Sequence, residues 1–349
     1  MLKSMISCGL AMFVAAGGFA QTLDPVFAAD YVIDDLGSVP AVPGNYGGLT
    51  FSQVDSNIML IGGAANAPFA DIYAVRVSRN IDGFITGFVC GDGQFFADAH
   101  GTAGGIDGGL TYGPGGVLFY TTYSNNQVGQ IKPGSTGPDR LIDLTPLGVW
   151  PSTGSLMFVP DGFSGAGRLK FVSFNGGTWH DATVAPDGNG TYDVTLHGAM
   201  ITIGGGPEGA VYVAGGNPGF ANDSILVSEW GTGRIVTYEA DANGDPIVAT
   251  QRVMITGLAG AEGAAIDPVT GDFLFSTFGG GNRVVRVSGF TTITNCPGDI
   301  NLDNVVELTD LALLLANFGQ VGIGDLDGNC TTDLIDLAIL LSSFGSPCP

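Results

Sequence analysis

The chain has 349 residues, of which 58 are Gly and 45% are hydrophobic, and a net charge of −22 that comes from scarce Lys and Arg (11 in all). So few bases leave no electrostatic footprint for nucleic acid or an anionic membrane surface. The hydrophobic content excludes a disordered chain, and Gly without a G-X-Y period excludes collagen, so many short strands joined by tight turns are predicted.

The start, "MLKSMISCGLAMFVAAGGFAQTLDP", places Lys3 before an apolar run over 5–16 and small residues at Gly18 and Ala20. That is the pattern of a secretory signal peptide, residues 1–20, cleaved after Ala20. A secreted or cell-surface protein is expected, with no membrane insertion after cleavage. Cys8 lies before most of the apolar run and is not read as a lipoprotein cysteine. Cleavage leaves Cys90, Cys296, Cys330 and Cys348, an even number that permits disulfides in an exported chain. Cys296 and Cys348 bracket the last segment and form the preferred pair. Cys90 and Cys330 are either paired with each other or free.

Residues 21–290 repeat a phrase of strand, turn, strand and strand. It can be read at "GGLTFSQVDSNIMLIGG" (47–63), "GGLTYGPGGVLFYTTYSNNQVGQI" (108–131), "GSLMFVPDGFSGAGRLKFVSF" (154–174), "EGAVYVAGGNPGFANDSILVSEWGTGRIVTYE" (208–239) and "EGAAIDPVTGDFLFSTFGGGNRVVRVSGF" (262–290). Taking Phe51, Tyr112, Phe158, Val211 and Ile266 as equivalent gives steps of 61, 46, 53 and 55 residues. A period near 50 with three or four short strands per unit is the signature of a β-propeller blade. Five blades are expected, with six as the alternative, and a β-sandwich or solenoid is the competing architecture. The last copy ends after three strands. "YVIDDL" (31–36) is predicted to supply its missing outer strand and close the ring.

Chemistry is sparse in this body. His100, His180 and His197 have no metal-binding spacing, and there is no G-x-S-x-G elbow. "GGIDGG" and "TFGGGN" read as turns. The loops "TTYSNNQ" (121–127), "NGGTWHD" (175–181) and "SEWGTGR" (228–234) set aromatics beside amides, a combination suited to carbohydrate. The phrases "AEGAAIDPVTGDFLFST" and "GRIVTYEADANGDP" resemble six-bladed propellers of the NHL-repeat and gluconolactonase-like kind. That resemblance implies that Glu208 and Glu262, each starting an innermost strand, face the central channel, where the family's Glu binds a divalent metal. The family's Glu-Gly-Pro is replaced here by Glu-Gly-Ala, with Ala210 and Ala264.

After a linker at 291–295, residues 296–349 contain seven Asp, one Glu and no Lys or Arg. Two copies, "GDINLDNVVELTDLALLLANFG" (298–319) and "GDLDGNCTTDLIDLAILLSSFG" (324–345), align at an offset of 26. Each has a 12-residue acidic loop before a helix. Positions 1, 3, 5, 7, 9 and 12 are Asp299, Asn301, Asp303, Val305, Glu307 and Asp310 in the first copy. In the second they are Asp325, Asp327, Asn329, Thr331, Asp333 and Asp336. This is the spacing by which an EF-hand-like loop wraps a hard cation in oxygens, with position 7 giving its carbonyl, so two Ca²⁺ are expected. Leu308, Leu311, Leu315 and Phe318, and their repeats Leu334, Leu337, Leu341 and Phe344, form one predicted stripe per helix, packed against the other. The pair resembles a type I dockerin. That resemblance implies a cohesin-like partner, recognised through Leu308, Thr309, Leu334 and Ile335. The usual Gly at loop position 6 is replaced by Asn304 and Cys330.

The expected molecule is thus an all-β propeller over 21–290, followed at 296–349 by a small α-helical, calcium-binding, dockerin-like domain. The function expected is an exported calcium-binding protein whose propeller binds a carbohydrate or small molecule and whose tail attaches it to a partner. The reading leans against catalysis. An extracellular polysaccharide hydrolase or lactonase of propeller fold carrying a dockerin is the alternative. Two or three carboxylates converging at one end of the channel would separate the two readings.

Overall fold

The computed structural model describes residues 21–80, 82–88, 93–290, 298–301, 305–320, 324, 326 and 331–345. The signal segment, the linker and all five cysteines lie outside the described residues, and with them the Cys296–Cys348 pairing. So do Asp303, Asp325, Asp327 and Asn329 of the acidic loops.

Among the described residues there are a two-stranded ribbon (Ser78–Arg79 with Ile85–Gly87) and five antiparallel blade sheets, four of four strands and one of five. Their innermost strands are Leu49–Phe51, Gly105–Tyr112, Thr153–Phe158, Pro207–Val213 and Ala261–Ile266. Each inner strand packs on the next and the fifth packs on the first, which is the ring of a five-bladed propeller. The fifth sheet takes its outer strand from the other end of the body: Val32–Gly37 pairs with Val284–Ser288. Thr22–Leu23 adds a fifth strand to the edge of the fourth sheet, against Pro246–Thr256. Two sheets thus hold both ends of the propeller body.

The apolar residues sort into five clusters, one at each junction between blades. Each blade is apolar on both faces and buries them only by stacking on its neighbours. Buried ion pairs tie the junctions. Arg79 makes a bidentate pair with Asp267 at 2.6 and 2.8 Å, joining the first blade to the fifth. Lys170, fully buried, reaches Asp181 at 2.7 Å and Asp245 at 2.6 Å, joining the third blade to a turn of the fourth. Removing one partner of such a pair leaves a buried charge and costs about 3–5 kcal/mol.

At the axis the inner strands approach so closely that side chains are excluded. A Cβ on Gly48 would lie 2.6 Å from the backbone of Gly109 in the next blade. One on Gly209 would lie 2.3 Å from the carbonyl oxygen of Glu262, and one on Gly263 would lie 2.7 Å from Gly48. Much of the chain's glycine excess serves this contact and the tight loops around it. "GGIDGG" therefore belongs to an inner strand and is not a turn. It lacks side-chain bulk because it lines the axis. "TFGGGN" lies in a hairpin loop.

The tail forms two helices, α1 (Leu308–Ala316) and α2 (Leu334–Ser343). Their core is Val306, Leu314 and Leu340, with Ile300, Leu311, Leu326 and Leu337 packed around it. The predicted stripe is corrected here. Leu308, Leu315, Phe318, Leu334, Leu341 and Phe344 are exposed, and the buried line runs instead through Asp310–Leu314 and Asp336–Leu340. The reason is electrostatic. Asp310 Oδ1 accepts the backbone N–H groups of Ile300 at 2.7 Å and Asn301 at 3.1 Å, and Oδ2 accepts that of Glu307 at 2.9 Å. Asp336 does the same for Leu326 and Asp333, at 2.5 and 2.7 Å. A carboxylate held inside its loop fixes the rotation of the helix that follows, and the residue one turn on becomes the core.

Candidate functional site

Four of the five inner strands shift register near the residue that precedes the axial glycine. Such bulges re-aim a side chain while keeping the strand in its sheet. The residue–glycine steps are Tyr46-Gly47, Asp107-Gly108, Thr153-Gly154, Glu208-Gly209 and Glu262-Gly263. Tyr46 joins the cluster between the first and fifth blades, and its hydroxyl bonds to the backbone of Val39. Thr153 donates to Asn126 at 2.5 Å. The other three, from the second, fourth and fifth blades, converge: Asp107, Glu208 and Glu262 each bring an oxygen within 4.8 Å of the other two.

All three are buried, and Glu208, the most exposed, keeps only 5% of its surface. No ion pair among the described residues reaches them. Burial pushes the Asp107 carboxyl up to about 7, against hydrogen bonds from Glu262, Asn66 and Gly108 that pull it down. Burial, then the charge of Asp107, holds Glu208 well above the usual carboxylate range. Burial, then the charges of Glu208 and Asp107, does the same to Glu262. Asp107 Oδ2 and Glu208 Oε2 are buried without a hydrogen-bond partner, as is Asn66 Oδ1.

Three carboxylates this close cannot all be charged and alone. At an effective dielectric of about 20, each pair at this spacing repels by at least about 3.5 kcal/mol. The site must take up protons or a cation. A calcium ion about 2.3–2.6 Å from each of three oxygens spans pairs up to about 5 Å apart, so the observed spacing fits it. The unpartnered oxygens of Asp107 and Glu208 are donors for such an ion, and the Asn66 side chain, bonded to Asp107, adds a buried neutral amide next to the trio.

The structure brings Glu208 and Glu262 together and adds Asp107, which the motif reading missed. The signal was there in "YGGLTF" and "DGGLTY". The register used above, through Val211 and Ile266, slipped by one or two residues and hid the fact that Asp107 occupies the place of the two glutamates. The histidines stay outside the trio. His180 is buried against Thr178 at 2.9 Å, with burial lowering its pKa to about 4. His100 pairs with Asp98 and His197 with Thr183. Of the loop aromatics read as suited to carbohydrate, Trp179 is fully buried and donates to Asp245 at 2.8 Å.

In the tail, Asp310 and Asp336 are buried inside their loops. Asp333 accepts from Ile335 at 2.7 Å, and Glu307 caps α1 reciprocally with Asp310. Asn301, Val305 and Thr331 lie at the surface and Asp299 is half-buried. Leu308, Thr309, Leu334 and Ile335 are exposed on the first turns of the two helices.

No protein-family model matches the chain, and no curated protein is similar to it in sequence. Among solved structures, glutaminyl cyclase from Myxococcus xanthus is 12% identical with a TM-score of 0.45, over 75% of this chain and 97% of that one. An auxiliary nutrient binding protein from Bacteroides thetaiotaomicron is 10% identical with a TM-score of 0.42, over 74% and 76%. The PQQ-bound aldose sugar dehydrogenase from Streptomyces coelicolor is 16% identical with a TM-score of 0.38, over 72% and 83%. Of two further Bacteroides structures the chain spans only 60% and 63% of the length. None of these likenesses carries an activity to this chain. The lean against catalysis finds no support either, because convergent carboxylates with raised pKa values are the feature that separates the two readings.

Proposed function

We propose that this is an exported, calcium-dependent binding protein whose propeller holds one divalent ion on its axis and whose C-terminal loops hold two more. The observation that carries the channel site is the convergence of Asp107, Glu208 and Glu262, buried, without a counter-cation, and with unpartnered oxygens. In this reading the ion completes the axis and fixes the spacing of three blades. The tail, dockerin-like in its loop spacing, attaches the propeller to a cohesin-type or surface partner through the exposed first turns of its helices.

Calorimetric titration of the calcium-free full chain tests this reading. Three ions per chain are expected, and two in a Glu208→Gln/Glu262→Gln variant. Equal stoichiometry in variant and wild type would remove the channel site.

The second reading, a hydrolase or lactonase, is favoured by the same trio, since a carboxyl raised to about 7 is poised for proton transfer. Against it stands the burial of all three groups, which keeps a substrate in solvent from reaching them. Turnover of aryl-glycosides or lactones in calcium, lost in Glu208→Gln, would decide for the enzyme.

A further inference from the structure

The loops between second and third strands carry a second repeated feature. Tyr123, Phe174, Trp230 and Phe278 occupy one equivalent place in the second to fifth blades, at or just after the end of the second strand. That end of each blade is the end at which the carboxylates sit. Thr122 pairs with Ile106, Glu229 with Pro207 and Thr277 with Ala261, in each case one residue before an acid of the trio. The aromatics therefore ring the same mouth of the channel.

Two of them are in ring contact. The rings of Phe174 and Trp230 meet edge to face at 5.7 Å, and Trp230 Nε1 donates to the carbonyl oxygen of Phe278 at 3.1 Å. Trp150 lies against the loop that follows Phe174: a Cβ on Gly176 would be 2.8 Å from the Trp150 Cβ. Large aromatic faces are normally buried, yet Trp150 is 51% exposed and Trp230 is 40% exposed. Asn175, next to Phe174 in the chain, is exposed. The bases at this mouth are already paired: Arg234 with Glu229 at 2.7 Å and Arg283, in the matching loop of the fifth blade, with Asp35, while the whole chain stands at −22. An anionic ligand is repelled from such a mouth, whereas an uncharged one is not.

We infer that the strip running from Trp150 past Phe174 to Trp230 is a binding site for a neutral oligosaccharide, stacked by its C–H faces on the indoles and hydrogen-bonded through its hydroxyls to Asn175 and the glycine-rich loop backbone. The strip crosses from the third blade to the fourth, with two exposed indoles, so it suits more than one sugar unit. This inference rests on the propeller being a ligand-binding domain but not on the channel ion, whose presence the calcium stoichiometry reads separately.

Tryptophan fluorescence of the full chain in calcium tests it, because Trp179 is sealed in the core and Trp150 and Trp230 are the other two tryptophans. Glucose, xylose and mannose β-1,4-linked hexaoses serve as neutral probes and oligogalacturonate as the anionic one. A saturable change with at least one neutral hexaose is expected, weakened about tenfold or more in Trp230→Ala and in Trp150→Ala, with melting temperature recorded for each. Trp150→Ala removes a half-exposed side chain, so a folded variant remains to be measured even if Trp230→Ala unfolds. No response to any neutral hexaose, a response to oligogalacturonate alone, or equal affinity in a folded Trp150→Ala variant would overturn the inference.

Discussion

Asp107 carries the clearest consequence at the scale of single residues. Without calcium its carboxyl titrates near 7 in the folded chain, against 3.8 as its ordinary value. Between those values the folded state holds a proton that the unfolded state has released. Stability is therefore fully present at low pH and falls as pH rises toward 7, by on the order of 4 kcal/mol from this group. Glu208 and Glu262 act in the same direction. His180, lowered to about 4, acts oppositely. The expected outcome in chelator is a wild-type melting temperature that falls from pH 4 to 7 more steeply than that of Asp107→Asn, in which His180 is unchanged. Calcium should restore the wild type at pH 7 and leave the variant less affected. Parallel pH profiles in chelator would show that Asp107 is not the titrating group.

Elements were legible in the sequence to the extent that periodicity decides them. The outer strand supplied by the N-terminal segment was readable because the fifth copy stops one strand short and "YVIDDL" (31–36), at the other end of the body, can close the ring. The two helices were readable from their duplicated stripe, but their rotation was not. The stripe contains more leucines than one face can bury, and the choice between Leu315 and Leu314 is made by a polar group, Asp310, which must point into its loop. Helix rotation therefore has a test. Asp310→Asn replaces an acceptor oxygen by an amide donor facing the N–H of Ile300 or Glu307. Losing such a charge-assisted bond costs about 1.5–3 kcal/mol. Amide exchange through α1 should accelerate about tenfold or more while the propeller strands are unaffected. Unchanged exchange in α1 would mean that Asp310 does not hold the helix.

For the whole molecule, the site depends on ring closure. No blade contains more than one of the three carboxylates, and each is aimed inward by a bulge in its own strand. Motif reading found Glu208 and Glu262 because they share the phrase Glu-Gly-Ala, and missed Asp107 because Asp-Gly-Gly resembles a turn. Only the close approach of the inner strands, enforced by glycine, reveals that the same place in three blades faces one point. The aromatic mouth was half legible for a similar reason: Trp179 and Trp230 look alike in sequence, and burial alone separates them. The central claim is that a divalent ion occupies that point. Anomalous diffraction from crystals grown in calcium and soaked in terbium measures it most directly. The account predicts a peak on the propeller axis, about 2.3–2.6 Å from an oxygen of each of Asp107, Glu208 and Glu262. Density without a peak there, with the three carboxyls bonded only to one another or to water, would contradict it.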